Sequence, residues 1–284
     1  MDDRHVLITG CSSGIGEALV PILREAGFTV HATARKSKDV ERLRSQGIST
    51  ELMDMMDIES IRSGFAAVMK ASKGSLYAVV NNAGYAVRGA VTDVRPEDVR
   101  HQFETNVFGP IELSRLALET MRASGEGRII NISSIVALHP FPYLGLYSAS
   151  KAALDSISDA MHNETAPEGI HVSVVHLGPI NTRFQKNTEA TIENLNADTA
   201  DSPVYKAIQA RMKANKQFSG GSSHSLPPQA ACDVILHALT AKSPKRRYRV
   251  TTVAEIIHLF SRFAPIWLKD AFSRHMLKKL EEMP

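Results

Sequence analysis

The feature that most constrains this chain is an alternation of short apolar runs with stretches of helical period, sustained from His5 to His176. The runs His5-Val6-Leu7-Ile8-Thr9, Phe28 to Thr33, Thr50 to Met53, Leu76 to Asn81, Arg128 to Ser133 and Val172 to His176 read as strands. Between them the spacing predicts helices from Ser13 to Ala26, Lys38 to Gln46, Ile58 to Ala71, Pro96 to Met121 and Tyr147 to Thr165. Such βα units, joined by right-handed crossovers, give a doubly wound parallel sheet. Gly109-Pro110 falls inside the helix from Pro96 to Met121 and should kink it, because Pro has no N–H to donate.

After Thr182 the texture changes. Residues 183–228 are polar and turn-rich, with one helical piece from Val204 to Asn215, and read as a substrate lid between core elements. A helix from Pro227 to Thr240 and a last strand, Tyr248 to Thr251, complete the core. Residues 253–284 form a C-terminal extension, with apolar side chains from Val253 to Leu280 at helical spacing, basic residues between them, and Pro265 dividing it into two helices. All 284 residues are read as one domain, a length that α/β folds often reach.

Composition excludes several classes. At 43% hydrophobic and 22% charged, the chain is too apolar to be disordered, and two cysteines, Cys11 and Cys232, make no disulfide framework. No Cys/His cluster has metal-ligand spacing, so no metal is expected. A net charge of +3 is too mild to imply nucleic acid. That sum hides an asymmetry: from Lys242 onward ten basic and four acidic residues give +6, leaving −3 for the 241 residues before. The N-terminus lacks the pattern of a secretory signal, and no stretch reads as a membrane-spanning helix, so the expected location is a reducing cytoplasm.

Thr9-Gly10-Cys11-Ser12-Ser13-Gly14-Ile15-Gly16 joins the first strand to the first helix. A helix N-terminus in that position offers unpaired N–H groups and the positive end of the macrodipole to a pyrophosphate. The G-x-x-x-G-x-G spacing differs from the G-x-G-x-x-G dinucleotide fingerprint. Together with Asn81-Asn82-Ala83-Gly84, Asn106, Ser134 and Tyr147-Ser148-Ala149-Ser150-Lys151, however, it resembles the short-chain dehydrogenase/reductase family, motif by motif and in family order, from residue 4 to about 182.

The resemblance implies a Rossmann-like sheet and an NAD(P)-dependent oxidoreductase acting on alcohol and carbonyl groups. It places Gly10, Ser12, Ser13, Gly14, Ile15 and Gly16 around the cofactor phosphates. Asp54, with Met55 beside it, would meet the adenine, and Asn81, Ala83 and Gly84 the adenosine ribose; Asn82 would be structural. Asp57 fits better as a helix N-cap. At the end of the second strand, Ala34 stands where NAD-preferring members resemble one another in carrying Asp, and Arg35 follows it. Arg can grip a 2′-phosphate with two parallel hydrogen bonds, and Ser12 can add another, so NADP(H) is favoured over NAD(H).

Tyr147 and Lys151, four residues apart, share one helix face. A nearby ammonium favours the phenolate, which suits Tyr147 to act as acid in carbonyl reduction and base in alcohol oxidation. Ser134 stands at the family's spacing for the hydroxyl that holds the substrate oxygen. Strand alternation turns Ser133 the other way. Asn106 resembles the family Asn that distorts its helix and holds a water linking Lys151 to solvent. Lys151 would also bind the nicotinamide ribose. Past the sixth strand the usual Pro-Gly order is reversed in Leu177-Gly178-Pro179, an order that some steroid-type reductases resemble; Pro179 and Thr182 would still flank the carboxamide.

Residues 135–146 are apolar and hold no Arg or Lys to receive a carboxylate, which suggests a lipophilic alcohol or ketone of steroid, retinoid or fatty type. His139 is expected to find a helix or turn partner. The cationic C-terminal extension can lie on an anionic membrane, cover the pocket or pack against a second subunit of a homodimer or homotetramer. Two other classes fit less well: a non-catalytic dinucleotide sensor would lack Tyr147, Lys151 or Ser134, and a sugar-nucleotide epimerase would need a longer C-terminal domain.

Overall fold

Seven strands form one sheet in a computed structural model that describes residues 4–184 and 225–281. They are β1 (His5–Ile8), β2 (Thr29–Ala34), β3 (Ser49–Leu52), β4 (Ala78–Asn81), β5 (Gly127–Ser134), β6 (Ile170–Leu177) and β7 (Arg247–Arg249). Their order is β3-β2-β1-β4-β5-β6-β7 and every pairing is parallel. Helices cover both faces, which is why the central strands read as nearly continuous apolar runs. Val6 and Ile8 pack with Leu19, Leu23 and Ile235 on one face, while Leu7 packs with Ile61, Phe65 and Leu113 on the other. This is the strand alternation expected of a sheet with two buried faces.

The helices are α1 (Gly14–Glu25), α2 (Ser37–Ser45), α3 (Ile58–Ala71), α4 (Pro96–Phe103), α5 (Gly109–Ser124), α6 (Gly145–Thr165), α7 (Pro228–Thr240), α8 (Thr252–Phe263) and α9 (Ile266–Glu281). Asp57 caps α3, accepting from the Glu59 amide at 2.9 Å. The helix expected from Pro96 to Met121 is broken, but not at Gly109-Pro110. A π-turn at Glu104–Phe108 separates α4 from α5, and Pro110 sits in the first turn of α5, where a missing N–H costs nothing. Gly109 has its own reason: a Cβ there would collide with the Met55 carbonyl.

The last strand lies slightly earlier than the expected Tyr248 to Thr251, because Thr251 caps α8 by accepting from the Ala254 amide at 3.1 Å. Ala264 and Pro265 separate α8 from α9, as the position of Pro265 predicts. The expected lid over 183–228, with its piece from Val204 to Asn215, lies outside the described residues except for 183–184 and 225–228. Cys11 and Cys232 are buried free thiols, each pushed up to about 12 by burial. Among the described residues no helix is long and apolar enough to cross a membrane, and no metal-binding cluster occurs.

Candidate active site

Strand order reverses between β1 and β4, and a doubly wound sheet opens a crevice at the carboxyl ends of such strands. The Gly-rich turn and the Asn81–Gly84 segment meet there. Gly10 has φ +73, and a Cβ on it would lie 2.9 Å from the Ala83 Cα. No other residue lets the two segments approach so closely. Asn82 fixes them, as expected of a structural residue: its side chain donates to the carbonyls of Thr9 (2.8 Å) and Gly10 (3.2 Å). The Thr9 hydroxyl accepts from the Asn82 and Ala83 amides at 3.0 and 2.9 Å. On the other side, the Cys11 amide donates to the Thr33 carbonyl at 2.8 Å, which sets the turn beside the end of β2.

These constraints leave a cradle for a dinucleotide. Ser13 begins α1 with extended backbone and no side-chain cap, so the first amides of the helix are left to a ligand. Gly14, with φ +65, lies against Thr182, since a Cβ on it would be 3.3 Å from the Thr182 Cβ. An open cleft of about 470 Å³ follows, lined by Gly14, Glu17, Asn181 and Thr182 among others. Arg35 is exposed at the end of β2, and the Ser12 carbonyl accepts from Arg42 at 2.9 Å. The donor set and the glycine cradle fit a pyrophosphate-bearing cofactor.

Three of the expected cofactor residues have side chains that face elsewhere. Asn81 donates to the Asn131 side chain (2.7 Å) and the Ser114 hydroxyl (3.2 Å) in the interior. Met55 and Ile15 are buried in the two core clusters. Only their backbone can meet a ligand. Asp54 accepts from the Met56 amide at 3.0 Å, ordering the loop after β3.

The second half of the crevice gathers Ser134, Tyr147, Lys151 and Asn106. Ser134 ends β5; its oxygen accepts from the Val136 amide at 3.3 Å, and its hydroxyl lies close enough to the Tyr147 phenol to favour the phenolate. Ser133 is buried on the opposite side, as alternation requires. Lys151 is 5% exposed and donates to the Ile132 carbonyl at 2.8 Å. Asn106, fully buried in the π-turn, accepts from the Tyr85 amide (3.2 Å) and donates to the Tyr85 carbonyl (2.9 Å) and the Ser150 hydroxyl (3.0 Å). Gly84 joins the group, for a Cβ on it would lie 3.0 Å from the Asn106 oxygen and 3.4 Å from the Lys151 nitrogen.

Burial dominates the electrostatics of the pair in the protein alone. It pushes the Tyr147 phenol up, and the Ser134 hydroxyl offsets only part of that. Lys151 itself is lowered to about 8 by burial, against the pull of the Asp155 carboxylate one turn on. The Tyr/Lys pair alone therefore leaves Tyr147 protonated at neutral pH, the form that can donate to a nascent alkoxide.

Several residues of this site escaped the motif reading. Thr9 and Ser150 lie inside the quoted motifs and order them from within; the Ser150 hydroxyl donates to the Tyr147 carbonyl at 2.8 Å. Asp155 was visible only as a carboxylate four residues past Lys151. It is held by His176 (2.5 Å) and Arg247 (3.1 Å), and Arg247 also pairs with Asp159 (2.5 Å).

Residues 4–193 match the family model described as short chain dehydrogenase. Over 263 residues the chain is 37% identical to the uncharacterized oxidoreductase YbbO of Escherichia coli, covering 92% of this chain and 91% of that one. It is 30% identical over 280 residues to a 3-ketodihydrosphingosine reductase of Bacteroides thetaiotaomicron, covering 98% of each. Among solved structures it is similar to a short-chain dehydrogenase from Streptomyces avermitilis, at 30% identity and TM-score 0.75, covering 96% of this chain and 98% of that one. The chain belongs to the short-chain dehydrogenase/reductase family. It is an oxidoreductase of that type, built to use a nicotinamide dinucleotide on carbonyl and alcohol groups.

Proposed function

We propose that this enzyme reduces a lipophilic ketone with NADPH, in a cytoplasmic homo-oligomer, with Tyr147 as the proton donor. The observation that carries the reading is the Ser134–Tyr147 pair, whose buried phenol stays protonated and whose surroundings are apolar. When bound, the reduced nicotinamide supplies a hydride to the carbonyl carbon. Ser134 holds the carbonyl oxygen, and the Tyr147 phenol gives its proton to that oxygen as negative charge develops there. Lys151, protonated below about pH 8, stabilises the phenolate left behind and holds the ribose. Asn106 fixes the neighbouring backbone and links Lys151 to solvent through water.

The choice of NADP(H) rests on Arg35, exposed at the end of β2 where an acidic residue would otherwise favour NAD. Ser12 serves the same phosphate, while Gly10, Ser13, Gly14, Ile15 and Gly16 hold the pyrophosphate. Asp54 and Met55 flank the adenine, Asn81, Ala83 and Gly84 the ribose, and Pro179 and Thr182 the carboxamide. The lipophilic substrate is supported by the apolar cluster of Ala86, Val136 and Tyr147, against which Phe141, Leu144 and Phe184 pack. The relative named as a 3-ketodihydrosphingosine reductase points within that class to a long-chain keto lipid. The test is oxidation of NADPH and of NADH with long-chain ketones, ketosteroids, retinoids and a charged keto acid. Long-chain ketones should be reduced with NADPH; preference for the keto acid or for NADH would overturn the reading.

A further inference from the structure

Six of the eleven exposed large hydrophobic residues among the described residues fall within Ile256–Leu268. Ile256, Leu259, Phe263, Ile266 and Trp267 are each between 53% and 72% exposed. Scattered apolar residues on a surface mean little, but a cluster marks a contact site. Ile256, Leu259 and Phe263 recur at helical spacing along the outside of α8, and Ile266 and Trp267 follow at the start of α9. The inner side of α8 is apolar as well, through Ala254, Ile257 and Phe260. A helix that is apolar towards both protein and water has a second partner to meet.

Charge tells which kind. From Thr252 to Lys278 the cations Arg262, Lys269, Arg274 and Lys278 outnumber the carboxylates Glu255 and Asp270. Glu255 is already engaged by Arg249 at 2.6 Å. Arg262 lies over the Phe263 ring, 5.8 Å from its centroid, so charge and apolar surface meet at one place. The inner face runs towards the active site. Phe260 and Phe272 contact His139 at ring-centroid distances of 5.5 and 5.6 Å, and Phe141, 6.2 Å from Phe272, packs in the cluster around Tyr147. His139 thus has helix partners, as its sequence position suggests, and burial among these rings keeps it neutral by lowering its pKa.

We propose that the outer face of α8 and α9 is a docking surface for an anionic lipid bilayer, placed beside the apolar pocket of Tyr147. Phe263, Ile266 and Trp267 enter the interface, and Arg262 and its neighbours meet the headgroups. The docking rests on this surface alone; its use in delivering substrate rests on the lipophilic substrate proposed above.

Trp267 is the sole tryptophan of the chain, so its fluorescence reads the surface directly. The full chain is titrated with vesicles of phosphatidylcholine alone and of phosphatidylcholine mixed with phosphatidylglycerol. A blue shift is expected with the mixed vesicles, with quenching by brominated lipid and weakening at high salt. Phe263→Ser with Ile266→Ser should lower the partition by at least about tenfold, and Arg262→Glu should also weaken it. Turnover of a short, water-soluble ketone should be unchanged in all of these variants. No blue shift with either vesicle, or partition indifferent to the variants, would overturn the proposal. So would light scattering that shows Phe263→Ser/Ile266→Ser dissociating a dimer, which would assign the face to a second copy. If vesicles bind but no lipid ketone is reduced, the docking stands and the substrate reading falls.

Discussion

The sheet with its crevice and the α8–α9 pair use apolar residues in opposite ways. In the sheet, Leu7, Ile8, Ile129 and Ile130 have no exposed surface, and the polar side chains of Asn82, Asn106 and Lys151 are held by named partners. In the helical pair, Phe263, Ile266 and Trp267 face water, and the helices touch the rest of the protein through Ala254, Ile257 and a few aromatic rings. The lesson is one of placement. A pocket that must hold a buried cation beside a phenol needs a rigid, fully packed frame, whereas a surface for a partner keeps its apolar area outside.

Substitutions can break or sharpen that contrast. The largest stability effect is expected in the sheet, where Leu7→Ala or Ile130→Ala should cost about 2–5 kcal/mol by urea denaturation, since each leaves a cavity between packed helices. Next comes Lys151. Burial lowers its pKa from 10.5 to about 8, so between those values the unfolded chain binds more proton than the folded one. The contribution of this group to stability therefore rises with pH across that window, and its cost is fully present below it. Lys151→Met should raise the unfolding free energy at neutral pH by about 1–3 kcal/mol while turnover is lost, and the gain should shrink as the pH climbs towards 10.5. Arg35→Asp should weaken NADPH by roughly ten- to a hundredfold and leave NADH within a few-fold, measured by titrating each nucleotide. The smallest effect belongs to the outer face: Phe263→Ser should move stability by less than about 0.5 kcal/mol. A large loss there would show that the face is packed, and the contrast would collapse.

Much of this was legible in the sequence because it depends on local pattern. Strand alternation separated Ser134 from Ser133, helical spacing joined Tyr147 to Lys151, and Pro265 divided the C-terminal helices. What the sequence concealed depends on approach between distant segments. The Gly109-Pro110 pair suggested a kink, yet the helix ladder slips at Glu104–Phe108, around the Asn106 that the family resemblance marked as distorting its helix; its exchange of hydrogen bonds with Tyr85 is what the sequence did not show. Asn81 stands in a cofactor motif, but its side chain turns inward because Asn131 on the neighbouring strand is there to receive it. The protonated state of Tyr147 could not be read from its spacing to Lys151, because burial pushes the phenol up and Ser134 offsets only part of that.

The central claim is that Tyr147 donates the proton in an NADPH-dependent carbonyl reduction. Its most direct test is the rate of NADPH oxidation with a long-chain ketone in the native enzyme and in Tyr147→Phe, alongside NADPH binding by both. The account predicts unchanged binding and a fall in kcat of about a thousandfold. Turnover retained within a few-fold of the native enzyme would contradict it.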